Sequence, residues 1–184
     1  MIRSIALTKT ALCVMLLLTS VFAQDTLGGR KLPSVTLIPP GVADISKGKS
    51  NIVNLDFQVG PGFHINSNKP SAEYMIPTVL RLDPPTDITV GKINYPAGEE
   101  MSFPFAPNEK LSVYSGRFTV GVTVRPLSGV LPGKYEFRGQ MRYQACDNAA
   151  CYPPKQLPVQ FEVKVLKAPP PHRKNPPQSP NVHN

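Results

Sequence analysis

Tryptophan is absent from this 184-residue chain and cysteine occurs only three times. Three cysteines, one of them (Cys13) inside an N-terminal apolar stretch, cannot staple a disulfide-rich mini-protein. Long helical runs are missing too. No 11-residue window carries a convincing 3.6-residue period, and 22 prolines at this density would break helix interiors. No apolar stretch reaches the about 20 residues that a spanning helix needs. A glycine-rich phosphate loop, a Gly-x-Ser-x-Gly elbow and a His-Glu-x-x-His helix are all absent, which sets aside the enzyme classes built on them. Glu99 and Glu100 are chain neighbours and cannot face each other across a substrate as glycosidase carboxyls do; the segment reads as a solvated turn.

Acidic residues are few, 12 against 20 Lys and Arg, for a formal net charge of +8. Arg3, Lys9, Arg173 and Lys174 lie near the ends, so residues 24–168 hold 16 basic and 12 acidic groups, net +4. That surplus is too mild for a nucleic-acid footprint. Tyr143 and Tyr152 lie in no basic groove pattern and do not read as base-stacking platforms.

What remains is 41% hydrophobic, enough for one core. Residues 1–23 have a short basic start, an apolar run from Ala11 to Leu18 and a Val-Phe-Ala end, the pattern of a secretory signal cleaved after Ala23. The mature chain is therefore expected to be exported, without a membrane span, where Cys146 and Cys151 can stay oxidised. Residues 167–184 hold six prolines and cannot bury a face; a disordered tail is expected there, with His172 and His183 too sparse for a metal site.

Between these ends the apolar residues alternate. Val53, Leu55, Phe57 and Val59 interleave with Asn54, Asp56 and Gln58. Three cleaner runs follow: Phe118–Val124; Tyr135, Phe137, Met141 and Tyr143; and Leu157–Val165. A strand buries every second residue, so each run lines a core with one face. Weaker strand signals lie at Val35–Ile38, Phe63–Ile65, Thr78–Leu82 and Ile88–Tyr95, with Pro-Gly and Pro-Pro breaks between them. Seven to nine short strands predict an all-β, immunoglobulin-like antiparallel β-sandwich over residues 34–166, with a small barrel as the runner-up.

The segment Met141-Arg-Tyr-Gln-Ala-Cys-Asp-Asn-Ala-Ala-Cys-Tyr-Pro-Pro-Lys155 joins two of the clean strands. If they pair as a hairpin, Cys146 and Cys151 come to one rim of the sheet within disulfide reach. Closing so short a loop constrains the unfolded chain by only about 2 kcal/mol, a weak return for a purely structural staple. Arg142 and Lys155 are the local cations, and no helix N-terminus is at hand to lower a thiol pKa. Redox exchange, a structural disulfide and metal ligation with Met141 or His64 all remain open on the residues alone. Zinc would want four ligands, and a lone His64 in Gly-Phe-His-Ile-Asn reads better as a strand-edge residue.

Residues 142–155, RYQACDNAACYPPK, closely resemble the active-site segment of the N-terminal periplasmic domain family of the thiol:disulfide interchange protein DsbD. Gly62–Asn66, Tyr95–Gly98, Lys110–Tyr114 with the following strand, and Leu131–Tyr135 are similar as well, so the resemblance spans roughly 34–166. It implies an immunoglobulin-like fold and a domain that carries electrons by disulfide exchange. The reductant would be a thioredoxin-like domain or protein, the acceptors periplasmic thiol proteins, and no cofactor would be required. Cys151 would form the mixed disulfide and Cys146 would resolve it. The resemblance also implies an aromatic cap over the disulfide; Phe103 and Phe105 in the loop Met101–Glu109 are the candidates, with Tyr143 and Tyr152 as packing or docking residues around the sulfurs. Two departures stand out: four residues separate the cysteines where the family pattern has five, and the chain runs into a proline-rich tail where a membrane domain would follow. A free-standing carrier with a separate reductant is the expectation.

Overall fold

The computed structural model describes residues 33–167. The expected signal segment with Cys13, and the expected tail beyond Lys167 with His172 and His183, lie outside the described residues. Among the described residues there are twelve strands and no helix. They are β1 (Val35–Leu37), β2 (Ala43–Ile45), β3 (Asn51–Val59), β4 (His64–Asn66), β5 (Val79–Asp83), β6 (Ile88–Asn94), β7 (Glu99–Phe103), β8 (Ala106–Ser115), β9 (Arg117–Pro126), β10 (Gly133–Tyr143), β11 (Ala145–Cys146) and β12 (Lys155–Val165).

The strands form three four-stranded ladders, in the orders β1-β3-β9-β6, β2-β12-β10-β5 and β11-β4-β8-β7. The first two supply the facing layers of an immunoglobulin-like sandwich. Phe57 stacks on Phe118 at 5.4 Å from one layer, and Phe137 on Phe161 at 4.8 Å from the other. Both pairs belong to one continuous buried cluster with Leu55, Val120, Val122, Met141 and Val163. The four clean alternating runs are the long strands β3, β9, β10 and β12, and their buried residues are the ones the period selects.

Three features differ from the sequence reading. There are more strands than expected, because short pieces such as β2 and β11 are too brief to show a period. The β2–β12 pair is parallel, formed where Ala43–Ile45 lies beside Val163–Val165. Glu99 and Glu100 lie in strand β7 rather than a turn, exposed on an edge where carboxylates stay hydrated. Pro158 lies in β12 outside the stretch 163–165 that pairs with β2.

Close approach is needed at Gly139, where β10 meets β5. A Cβ there would stand 2.2 Å from the Arg81 carbonyl oxygen and 2.9 Å from Leu82 Cα, so only glycine fits this crossing.

Candidate functional site

The β10–β12 hairpin ends at the pair Tyr143↔Lys155, and its connection carries the cysteines. After Tyr143 the chain leaves β12 and pairs with β4, Ala145 opposite Ile65 and Cys146 opposite His64. It then turns back so that Cys151 bridges to Cys146, with an S–S bond of 2.04 Å and Cα atoms 3.9 Å apart.

Asp147 shapes this turn. Its Oδ1 accepts the amides of Ala149 at 2.8 Å and Ala150 at 2.9 Å, while its own amide donates to the Ala150 carbonyl at 3.0 Å. A short acidic side chain folding onto amides two and three residues ahead is how such turns are held. Its Oδ2 accepts the Tyr152 hydroxyl at 2.6 Å, and the Tyr152 amide donates to Ala145 at 2.8 Å. Tyr152 is thereby tied to both ends of the loop, and its ring meets Phe63 edge-on at 5.9 Å.

A buried amide clamp anchors the other side. The Gln144 Nε2 donates to the Tyr152 carbonyl at 3.2 Å, and its Oε1 accepts from Asn66 Nδ2 at 3.1 Å. Asn66 is fully buried, and its Nδ2 also donates to the Ile76 carbonyl at 2.9 Å. Thr78 closes the set with a hydroxyl bond to the Asn66 carbonyl. Buried amides left unpaired cost about 1–3 kcal/mol each, so these bonds fix where the Cys151-Tyr152 segment lies against β4.

Strand alternation sorts the residues around the disulfide. Ile65, Tyr114 and Ala145 point to the main core. Their neighbours His64, Asn66 and Cys146 point to the opposite face, where Met75, Phe103, Leu111 and Val113 form a second, small buried cluster. Phe103 stacks on His64 with centroids 3.9 Å apart, and Phe105 stacks on the outside of Phe103 at 5.4 Å. An aromatic pair therefore covers the residue directly across the strand from Cys146. Cys146 has no exposed surface, whereas Cys151 is exposed.

His64 is 4% exposed, and its Nε2 meets no hydrogen-bond partner. Burial holds its pKa down to about 4, partly opposed by the negative charge of Asp147. At neutral pH the imidazole is uncharged.

Of the residues singled out from sequence, Cys146, Cys151, Phe103, Phe105 and Tyr152 come together at this rim. Tyr143 does not. It is 4% exposed in the main core, with its hydroxyl bonded to the Val35 backbone and its pKa raised by burial, so it is unavailable to a docking partner. Phe103 is buried rather than exposed, and the expected loop 101–109 is the β7–β8 hairpin, with Phe103 and Phe105 at its tip. Met141 lies in the main core. Among the described residues no group of three His, Cys, Asp or Glu side chains is placed to hold a metal ion. His64 entered the sequence reading only as a metal ligand, and Asn66, Gln144 and Asp147 did not enter it as site residues. The signal for the last two was their place beside Cys146, whereas His64 and Asn66 are brought in by tertiary pairing alone.

The arrangement is a disulfide between one exposed and one enclosed cysteine, a bond whose chemistry is exchange with a thiolate.

Residues 34–176 match the family model of the thiol:disulfide interchange protein DsbD, N-terminal. Among solved structures, the reduced DsbD N-terminal domain of Neisseria meningitidis is similar, with 20% identity and a TM-score of 0.38 over 60% of this chain and 79% of that one. A type I cohesin of Pseudobacteroides cellulosolvens is similar at 15% identity and a TM-score of 0.45, covering 77% and 98% of the two chains. No curated protein matches the chain.

Proposed function

The chain belongs to the family of DsbD N-terminal domains, and we propose on that premise that it is a periplasmic electron carrier working through the reversible Cys146–Cys151 disulfide. A thioredoxin-like reductant supplies the electrons and periplasmic thiol proteins receive them. The observation that carries this reading is the unequal exposure of the two cysteines, Cys151 exposed and Cys146 enclosed. A bond built only to staple the loop has no need of that asymmetry, whereas exchange needs one sulfur that a protein partner can reach.

In the reductive direction the partner's thiolate attacks Cys151 Sγ. The Cys146–Cys151 bond breaks, a partner–Cys151 bond forms, and Cys146 leaves as thiolate. The partner's second thiolate then attacks its own sulfur in the mixed disulfide and releases Cys151, so the partner ends oxidised and this domain reduced by two electrons. Donation to acceptors runs the same steps in reverse. Phe103 and Phe105 screen the enclosed side from small thiols and move aside when a partner docks, while Tyr152 belongs to the docking surface around Cys151.

Trapping tests the reading. Cys146→Ser, its Cys151 carried as a mixed disulfide with thionitrobenzoate, is expected to release thionitrobenzoate to a thioredoxin-like protein lacking its own resolving cysteine and give a covalent heterodimer on a non-reducing gel, and Cys151→Ser activated in the same way little. The reverse pattern would exchange the two roles. No adduct from either variant would favour an exported binding sandwich with a structural disulfide.

A further inference from the structure

The step above leaves a thiolate at Cys146, a position with no exposed surface. A buried thiolate without a partner is costly, and a leaving thiol of high pKa departs slowly. Something beside Cys146 must meet that charge, and the cationic side chains Arg142 and Lys155 are exposed.

We propose that His64 stabilises the departing Cys146 thiolate through an N–H···S hydrogen bond from its imidazole. Three observations converge on it. His64 is the direct cross-strand partner of Cys146, and residues so paired project their side chains to the same face with Cβ atoms about 4.5–5.5 Å apart. Its Nε2 is buried with no hydrogen-bond partner in the disulfide form, an unusual state for a polar atom in a folded protein. Phe103 lies flat on the ring, 16° from parallel, fixing its plane and shielding it from solvent. A buried imidazole nitrogen without a partner, on the residue across the strand from a cysteine that becomes an anion during the reaction, is available at that moment.

The groups packed around the ring leave the donor neutral. Asp147, on the loop after Cys146, is the charge that acts on it. Across β8, Ser115 is its register partner, and the Ser115 hydroxyl meets the carboxylate of Glu99 at 3.0 Å on the exposed β7 edge. Phe103 and Val113, from the hairpin and β8, are apolar. A neutral imidazole can give one N–H to a thiolate without changing its own charge. The electron pair stays on sulfur, and the proton that converts Cys146 to a thiol arrives from solvent once Cys151 is released.

This inference rests on the reading of Cys146–Cys151 as an exchanging bond, yet its test needs no protein partner. In a Cys151→Ser background the thiolate of Cys146 can be titrated by its ultraviolet absorbance. Adding His64→Phe is expected to raise the Cys146 pKa by about one to two units, and adding His64→Gln, which keeps an N–H donor, to raise it less. In the otherwise native protein, His64→Phe is expected to slow reduction by dithiothreitol about tenfold or more, with partial rescue by Gln. Should His64→Phe fail to fold, the Cys151→Ser protein with His64 intact remains decisive. Its imidazole nitrogen resonance is expected to show a titration step at the Cys146 pKa. An unchanged Cys146 pKa in the folded double variants, or a flat nitrogen resonance across that pKa, overturns the proposal. A failure to trap a partner, with these titrations as expected, would instead count against the carrier function alone.

Discussion

The β11-β4-β8-β7 sheet has two faces that differ by one residue along each strand. On one, Ile65, Tyr114 and Ala145 merge with the aromatic core of the sandwich. On the other, Cys146, His64 and Asn66 meet a cluster with only four buried apolar members. The first face is apolar, with its one buried hydroxyl satisfied: Tyr114 donates to Asn68 Oδ1 at 2.6 Å. The second holds an imidazole nitrogen and an amide oxygen with no partner. Stability is concentrated on one side of the sheet and unsatisfied chemistry on the other, and the period-2 geometry of a strand keeps them apart without any intervening element.

The largest test of that division lies in the main core. Phe137→Ala removes a fully buried ring stacked on Phe161 and is expected to cost about 3–5 kcal/mol in chemical denaturation. The reduction rate of the molecules that stay folded is expected to be unchanged, because no atom of Phe137 belongs to the disulfide face. A changed rate would mean that the two faces are coupled through the sheet.

A smaller effect is expected from pH. His64 has its pKa lowered from 6.5 to about 4 by burial. Between those values the unfolded chain binds a proton at His64 that the folded chain refuses, so unfolding is favoured as pH falls. The stability due to neutral His64 is present in full above about pH 6.5, is lost progressively down to about pH 4, and changes no further below it. The loss is about 3 kcal/mol. Asp56, whose carboxylate is held low by the Thr119 hydroxyl and by Arg117, loses its contribution only below its unfolded value of 3.8, outside this window. Denaturation midpoints from pH 7 to 4 should therefore fall in the native protein and flatten in His64→Gln. Equal slopes in the two proteins would show that His64 is not buried neutral.

The same division explains what the sequence made readable. The main core was legible because β3, β9, β10 and β12 repeat one rule over seven or more residues, and even the inward direction of Tyr143 was written in its phase with Phe137 and Met141. Reading it as a docking residue gave weight to its nearness to Cys146 in the chain over that phase. Strand β8 was hidden because its first half, Ala-Pro-Asn-Glu-Lys, is exposed and polar, as an edge hairpin tolerates. The cysteine loop was legible through its own residues. Its support was not: Asn66 and Gln144 lie 78 positions apart, and no local pattern announces which buried amides will meet.

The smallest expected effect separates the two phenylalanines of the hairpin tip. Phe103 is 4% exposed and packs between His64 and Phe105, whereas Phe105 is 37% exposed and stacks on Phe103. Losing the outer ring forfeits one aromatic stack, worth about 1 kcal/mol. Phe103→Ser also opens the small cluster and uncovers the imidazole. Phe103→Ser is therefore expected to destabilise the domain more and to accelerate reduction by dithiothreitol clearly. Phe105→Ser should shift stability by about 1 kcal/mol or less and leave the rate close to native, since the inner ring still covers His64. Equal acceleration by both variants would mean that the tip shields the disulfide as a unit that lifts away, with the outer ring serving as its latch; no acceleration by either would remove the screening role from this hairpin.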